Sequence, residues 1–254
     1  MMEYCQKFRI YPTASQSQQI QKTFGCCRFV WNYYLAKRKE LYETDGQTLN
    51  YNKCSADMTQ LKKSLKWLRE VDVTALRNSL RDLDAAYQYF FRRVKSGEVT
   101  GFPKFKSKHN HRQSYRSQCS NGNIKVFDKY IQLPKLGKVK CRVSKQIKGR
   151  ILSATGSQNP SGKYFVAICC TDVEMERLPK TGATIGLDMG IKSFAVTSDG
   201  VEYLNHKYLT KSEKKLAKLQ RSLSRKTKGS NRWNKARIHV ARAHEHVANQ
   251  RRDT

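Results

Sequence analysis

Ile185-Gly186-Leu187-Asp188-Met189-Gly190-Ile191-Lys192-Ser193-Phe194-Ala195-Val196-Thr197-Ser198-Asp199-Gly200 sets one carboxylate at the end of an apolar run, between two glycines. Thr184 to Asp188 reads as a buried strand and Ser193 to Thr197 as its partner. Asp199-Gly200 is a tight turn into a third strand, Val201 to Leu204. Gly186 and Gly190 leave the backbone on either side of Asp188 open to close approach by a ligand. Downstream, Thr210-Lys211-Ser212-Glu213 is a capping box opening a helix with Leu216, Leu219 and Leu223 on one side. Lys228-Gly229-Ser230-Asn231 ends it, and a second helix carries Ala236, Val240, Ala243 and Val247 in register.

This strand, carboxylate and hairpin are similar to the opening of an RNase-H-like nuclease core. There such an aspartate holds Mg²⁺ ions that activate water and stabilise the leaving oxygen of a phosphodiester. Two other readings stay open: an aspartate that caps a turn, and the first strand of an actin-like ATPase. The ATPases place Thr or Ser just after the second glycine, where Ile191 and Lys192 stand here. A pair of divalent ions needs several carboxylates. The acids after Asp188 are Asp199, Glu202, Glu213, Glu245 and Asp253, and only Glu202, on the third strand, is placed to point toward Asp188. The expectation is one piece of a catalytic and metal site, Asp188, without its companions.

Working upstream, Tyr4 to Tyr11 alternates as a strand until Pro12-Thr13 breaks it. From Ser15 the period changes: Ile20, Phe24, Cys27, Trp31, Tyr34 and Leu41 share one helical face, opposite Lys22, Arg28, Lys37, Arg38 and Lys39. After a loop at Thr44 to Asn52, a second helix carries Met58, Leu61, Leu65 and Leu68. A third, starting near Asp72, carries Leu76, Leu80, Leu83, Tyr87, Phe90 and Val94. Beyond Gly97 short strands follow: Ile124 to Phe127, Tyr130 to Leu133, Val139 to Val143, Ile151 to Thr155 and Tyr164 to Ile168, the last two joined through Asn159-Pro160-Ser161-Gly162.

The 254 residues hold 50 Lys+Arg against 20 Asp+Glu, a formal net charge of +30, and 38% of them are hydrophobic. That is enough apolar content for a core, while the charge repels itself unless a polyanion neutralises it. From Gly101 to Lys163 a single acid, Asp128, stands among many bases, so one face of this β unit should be a backbone-binding groove. Gly101-Phe102-Pro103-Lys104-Phe105-Lys106-Ser107-Lys108 and Gln113-Ser114-Tyr115-Arg116 interleave aromatics with cations, as segments that stack bases and meet phosphates do. Lys104, Lys106, Lys108, Tyr115 and Arg116 are therefore candidate contacts, with Phe102 and Phe105 open to an alternative role as core anchors. Lys7, Arg9, Arg28, Arg38, Arg221, Arg225, Lys226 and Lys228 complete the basic set.

The eight cysteines form no C-x-x-C pair, and Cys26-Cys27 and Cys169-Cys170 are adjacent doublets. Buried reduced thiols are expected, and no zinc. None of the six histidines has a metal-ligand partner set in the sequence. With no run of about 18 apolar residues, no lipidation signal and no N-terminal charged-then-apolar pattern, the expectation is a cytoplasmic protein without a membrane partner.

Six motifs, in order, resemble the TnpB (OrfB) family of insertion-sequence proteins, regarded as ancestors of the type V CRISPR effectors. They are Phe8-Arg9-Ile10-Tyr11-Pro12-Thr13, Phe24-Gly25-Cys26-Cys27-Arg28-Phe29-Val30-Trp31-Asn32, Ala75-Leu76-Arg77-Asn78-Ser79-Leu80-Arg81-Asp82-Leu83, Gly101-Phe102-Pro103-Lys104-Phe105-Lys106, Leu133-Pro134-Lys135-Leu136-Gly137 and Gly186-Leu187-Asp188-Met189-Gly190-Ile191-Lys192. The resemblance implies an α+β architecture: a split wedge-like β-barrel domain from residues 1–13 and 97–180, and a helical recognition bundle at 14–96, its N-terminal part often called helix-turn-helix. The N-terminal part of a RuvC-like nuclease domain would follow at 181–254. It implies a guide RNA from the transposon end and double-stranded target DNA as partners, with base pairing reading most of the target. Asp188 takes the place of the first Mg²⁺ ligand, and Tyr51, Thr74, Arg77 and Asn78 take the places that would read the adjacent DNA motif. In that family a glutamate-bearing strand, a C-x-x-C zinc ribbon and a final aspartate follow the helix that here reaches Asn249-Gln250-Arg251-Arg252-Asp253. The expectation is a truncated endonuclease relative that does not cut, or a shortened protein retained as a nuclease-dead RNA- and DNA-binding repressor.

Overall fold

The computed structural model describes residues 2–174, 179 and 181–253. The chain divides into two compact units: 1–159 with 163–174, and 160–162 with 175–254.

The first unit is built on a seven-stranded, wholly antiparallel sheet in the order β2-β6-β7-β1-β5-β4-β3. Its strands are β1 (Met2–Tyr11), β2 (Gln113–Gln118), β3 (Lys125–Val126), β4 (Tyr130–Leu133), β5 (Gly137–Arg142), β6 (Arg150–Gln158) and β7 (Tyr164–Val173). The N-terminal strand lies in the middle, paired with both β5 and β7. One sheet thus joins residues 2–11 to strands more than a hundred residues later in the chain.

Between β1 and β2 lie α1 (Ala14–Asp45), α2 (Tyr51–Ser64), a 3-10 turn at Lys66–Arg69 and α3 (Val73–Lys95). Thr13 caps α1 in a full capping box with Gln16, and Asp72 caps α3 through the Thr74 N–H. The apolar faces of α1 and α3 join the inner face of the sheet in one core, in which Val30, Tyr34, Leu35, Leu76, Leu80, Ile131, Val139, Val166 and Ile168 are fully enclosed. Removing that much apolar surface from water is what holds the unit together.

Three expectations need correction here. The second helix ends at Ser64, so Leu65 is its C-cap and Leu68 sits in the 3-10 turn. The loop at Thr44 to Asn52 is shorter, because α1 runs to Asp45 and α2 begins at Tyr51 after the Asn50 cap. Gln113 to Arg116 belongs to a strand, β2, whose inward residues Tyr115 and Ser117 alternate with outward ones. The wedge-like boundary at residue 180 lies outside the described residues.

The second unit holds a three-stranded antiparallel sheet, β10-β9-β8, made by β8 (Leu187–Met189), β9 (Ser193–Thr197) and β10 (Glu202–Leu204). Two helices follow, α4 (Tyr208–Ser224) and α5 (Asn231–Gln250), the latter capped by Ser230. The hairpin matches the sequence pattern, with Gly200 at φ +82° in its turn. The first strand does not: β8 is three residues long and exposed throughout. Nor does Thr210 open the helix, since α4 starts at Tyr208 behind a left-handed Lys207 with no side-chain cap. Leu216 and Val247 are its buried helix residues, and among the described residues the unit encloses far fewer apolar side chains than the first.

Candidate nucleic-acid interface

Strand alternation gives the large sheet two chemically opposite faces. On β1, Phe8 and Ile10 are buried while Lys7, Arg9 and Tyr11 are exposed. Cross-strand pairing then assembles the outward face in rows. Lys7 is opposite Ala167, Ala167 opposite Thr155, and Thr155 opposite Arg116. Arg9 faces Phe165 on one side and Arg142 on the other. Tyr11 faces Lys140, which faces Tyr130. Several cations lie over rings: Lys7 Nζ 4.4 Å from the Phe165 centroid, the Arg9 guanidinium 5.0 Å from Tyr11, and Lys138 Nζ 5.0 Å from Phe127. Of the outward residues, the sequence motifs pointed to Lys7, Arg9 and Arg116. Lys138, Lys140, Arg142, Tyr11 and Tyr130 join them only through strand register.

The aromatic-basic segment at 101–108 is strapped to α1. Trp31 Nε1 donates to the Lys104 carbonyl at 3.0 Å, and Asn32 exchanges two hydrogen bonds with Lys106. The Lys106 ammonium lies 3.7 Å from the Trp31 centroid, and burial there pushes its pKa down against the pull of Asp82 and Cys27. Lys104 and Lys108 are exposed, and so is Lys106 as a whole residue, its ammonium alone tucked against the indole. Phe102 packs edge-on against Tyr87 and Phe90 at 5.4 and 5.3 Å, which is an anchor's position, whereas Phe105 is more than half exposed.

Three candidate contacts are interior. Arg38 is 7% exposed, bonds Asp84 Oδ1 at 2.7 Å and covers the Tyr87 ring at 4.9 Å. Asp84 and Tyr87 of α3 cover this one arginine, while Lys22 and Lys39, assigned to the same helical face, are exposed. Asn78 is buried and donates to the Arg116 carbonyl at 2.7 Å, tying α3 to β2. Tyr115 is 8% exposed, sits edge-on to Phe24 at 5.7 Å, and burial pushes its phenol well above the usual range. These three side chains hold the helices to the sheet. Thr74 is half-buried, donating to Asp72 and accepting from the Gln118 N–H at 3.2 Å. Tyr51 opens α2 with the Arg81 guanidinium 5.3 Å over its ring, Arg77 is exposed, and Arg28 is half-buried.

In the second unit Arg221, Arg225 and Lys228 are exposed, while Lys226 folds back onto Ser222, donating to its carbonyl at 3.0 Å. Arg221 and Arg225 share a face of α4 with Lys214 and Lys218. Asp188 is exposed on β8 and opposite Val196, which is opposite Glu202. The two carboxylates therefore lie in one row, two strand spacings or about 10 Å apart. Glu202 accepts a hydrogen bond from Ser193 Oγ, and Gly190 donates its N–H to the Phe194 carbonyl at 3.4 Å, closing the turn beside Asp188. Among the described residues no group of three His, Cys, Asp or Glu could hold a metal ion. The donors present do not fit a two-metal centre.

Residues 2–47 match a family model described as "Helix-turn-helix domain" (HTH_OrfB_IS605), and residues 167–254 one described as "Probable transposase" (OrfB_IS605). The chain belongs to the OrfB family of insertion-sequence proteins. This OrfB chain is 33% identical over 253 residues to the Escherichia coli (strain K12) protein named "Putative RNA-guided DNA endonuclease InsQ". It is 32% identical over 252 residues to a Streptomyces pristinaespiralis protein also named as an RNA-guided DNA endonuclease. Each alignment takes in 97% of the chain but only 60% and 61% of the relative, so the chain spans about three fifths of their length. A shorter match, 30% over 112 residues, covers 92% of the Salmonella dublin virulence protein VsdF. The solved complex of Cas12f1 with guide RNA and target DNA aligns with all of this chain at 13% identity and a TM-score of 0.38. Asp188 falls inside the transposase-type match, which sets the actin-like ATPase reading aside.

The eight cysteines are free, as expected, but not all are buried. Cys5 is exposed, and Cys119 and Cys169 are partly so. Cys26 and Cys27 are deep, their thiols pushed up to about 11 and about 12 by burial. No helix among the described residues is long and apolar enough to cross a membrane.

Proposed function

We propose that this chain binds a guide RNA and, through it, double-stranded DNA, and that it holds its target without cutting it. The observation that carries the reading is the outward face of the seven-stranded sheet, where Lys7, Arg9, Lys140 and Arg142 stand over a core that needs none of them, with Arg116 at the edge bridged to Asp82 at 3.3 Å. A face of that charge binds polyanions by releasing their counterions. Its relatives' names supply the kind of polyanion, RNA that directs a protein to DNA. In this proposal residues 1–13 and 97–180 act as the wedge-like domain and 14–96 as the recognition bundle. Residues 181–254 act as the opening of a RuvC-like fold in which Asp188 stands where a metal ligand would.

What supports holding without cutting is the donor set among the described residues around Asp188, an exposed carboxylate whose row neighbour Glu202 is turned to Ser193. A protein that occupies DNA in this way acts as a repressor at whatever sequence its RNA specifies. The test is to purify the chain with RNA from the transposon end and present DNA with and without the complementary sequence. Guide-dependent retention with intact DNA in Mg²⁺ is expected. Equal retention of both DNAs would defeat the guided-binding reading, and Mg²⁺-dependent cuts would defeat the holding one.

A further inference from the structure

We infer that the row Tyr11–Lys140–Tyr130 on the outward face of the sheet is a stacking site for an unpaired nucleic-acid strand. It rests on the reading of the chain as a nucleic-acid-binding protein, and it names the form of the ligand and the side chains that take it.

The three residues come from β1, β5 and β4 and are directly opposite one another in register. Opposed residues in antiparallel strands project on the same face, so the two tyrosines leave backbones about 10 Å apart with Lys140 on the strand between them. Tyr11 is 42% and Tyr130 44% exposed. Their strand neighbours Ile10, Ile131, Val139 and Cys141 already complete the inner face, so the rings contribute little to the core. Two large aromatics fixed on one face by rigid strands present flat π surfaces that a planar partner can cover.

The surroundings say which partner. The groove beside the row encloses about 510 Å³ and is lined by Lys129, Lys140 and Arg142 against one carboxylate, Asp128. The Arg9 guanidinium already stacks 5.0 Å from the Tyr11 centroid, pre-forming one side of a cation–π sandwich. Rings take base faces while the cations between and beside them take phosphates, the combination that binds single strands. A duplex keeps its base faces inside its own stack and could use only the cations. The chemistry is therefore that of unpaired nucleotides, available from a guide RNA or from a displaced DNA strand.

The experiment compares the full chain with Tyr11→Ala, Tyr130→Ala, Tyr11→Phe, Tyr130→Phe and Lys140→Gln. The probes are fluorescein-labelled oligouridine, oligothymidine and a DNA duplex. Each alanine variant should bind the single strands about tenfold more weakly, within the range of one lost stacked base, and the duplex unchanged. The phenylalanine variants should bind like the parent. Lys140→Gln should flatten the dependence of log K on log salt by about 0.7. Ultraviolet crosslinking of the parent, read by mass spectrometry, should attach the oligonucleotide to peptides holding Tyr11 or Tyr130 whether or not the alanine variants fold. A stronger effect on oligouridine assigns the site to RNA, and a stronger effect on oligothymidine to a displaced DNA strand. Alanine variants that bind both single strands like the parent, or crosslinks confined to other peptides, overturn the inference. Tyrosine-dependent oligonucleotide binding without guide-dependent DNA retention would sink the proposed function and leave this site standing.

Discussion

Asn32 and Lys106 are joined by a reciprocal pair of hydrogen bonds, Asn32 Nδ2 donating to the Lys106 carbonyl at 3.0 Å and the Lys106 N–H to Asn32 Oδ1 at 2.8 Å. A side-chain amide thus pairs with a loop residue as a strand neighbour would. It fixes a segment of regular charge and no regular structure to the middle of α1. Two family motifs 74 residues apart are there for each other.

Asn32→Ala should free that segment. We expect a loss of about 1–2 kcal/mol in urea unfolding, two modest hydrogen bonds' worth, with faster amide exchange across residues 101–108. RNA binding should weaken as Lys104 and Lys106 lose their fixed positions. Unchanged exchange in the segment would show that Trp31 alone holds it.

The buried pair of Arg38 with Asp84 makes a second prediction. Asp84→Ala leaves a guanidinium inside the protein with no counter-charge, and should cost about 3 kcal/mol by chemical denaturation. Arg38→Met, which removes the charge and keeps the bulk, should cost less. If Arg38 instead served RNA binding, Arg38→Met would lower affinity at full stability.

Asp57 predicts a pH effect. Burial pushes its carboxyl up, but hydrogen bonds from Lys37 Nζ and Tyr34 Oη, both at 2.8 Å, outweigh burial and hold it below the ordinary carboxylate value. A depressed folded pKa adds stability that is full above the unfolded carboxyl's value, about 4, and is lost as pH falls through the lower folded one. Urea midpoints measured downward from pH 6 should therefore drop more steeply for the parent chain than for Asp57→Asn. Parallel curves would contradict the assignment.

Gly156 lies against the Tyr115 ring, where an added Cβ would come within 2.8 Å of Cε1. Gly156→Ala should destabilise the protein by about 1–3 kcal/mol, visible as a lower melting temperature. Gly156→Ala combined with Tyr115→Leu should recover part of the loss.

Much of this fold is readable before any coordinates, and the failures have physical causes. Ser193 to Thr197 and Tyr130 to Leu133 matched their strands because alternation and turn residues agree locally. Thr184 to Asp188 is apolar enough for a buried strand, yet burial needs a partner surface, and β8 has a neighbour on one side only. Thr210 carried a capping signature that lost to a helix beginning two residues earlier. The exposure of Lys7 and Arg9 was legible because a basic residue on an alternating strand points away from its apolar neighbours. Arg38 and Asn78 were not, since a helix buries one side against a partner that only tertiary packing names. Lys140 and Arg142 escaped because their meaning comes from pairing with β1, more than a hundred residues earlier, and Tyr130 because it reaches that row through Lys140.

The same strand spells two surfaces at once. Because β1 alternates strictly, Phe8 and Ile10 pack inward by the same register that turns Lys7, Arg9 and Tyr11 to solvent. Inserting or deleting a single residue between Lys7 and Tyr11 would trade the two sets, sending cations into the core and apolar side chains into the water. Interior and outward face therefore cannot drift apart in this strand: substitutions can tune either one, but a frame change of one position destroys both together.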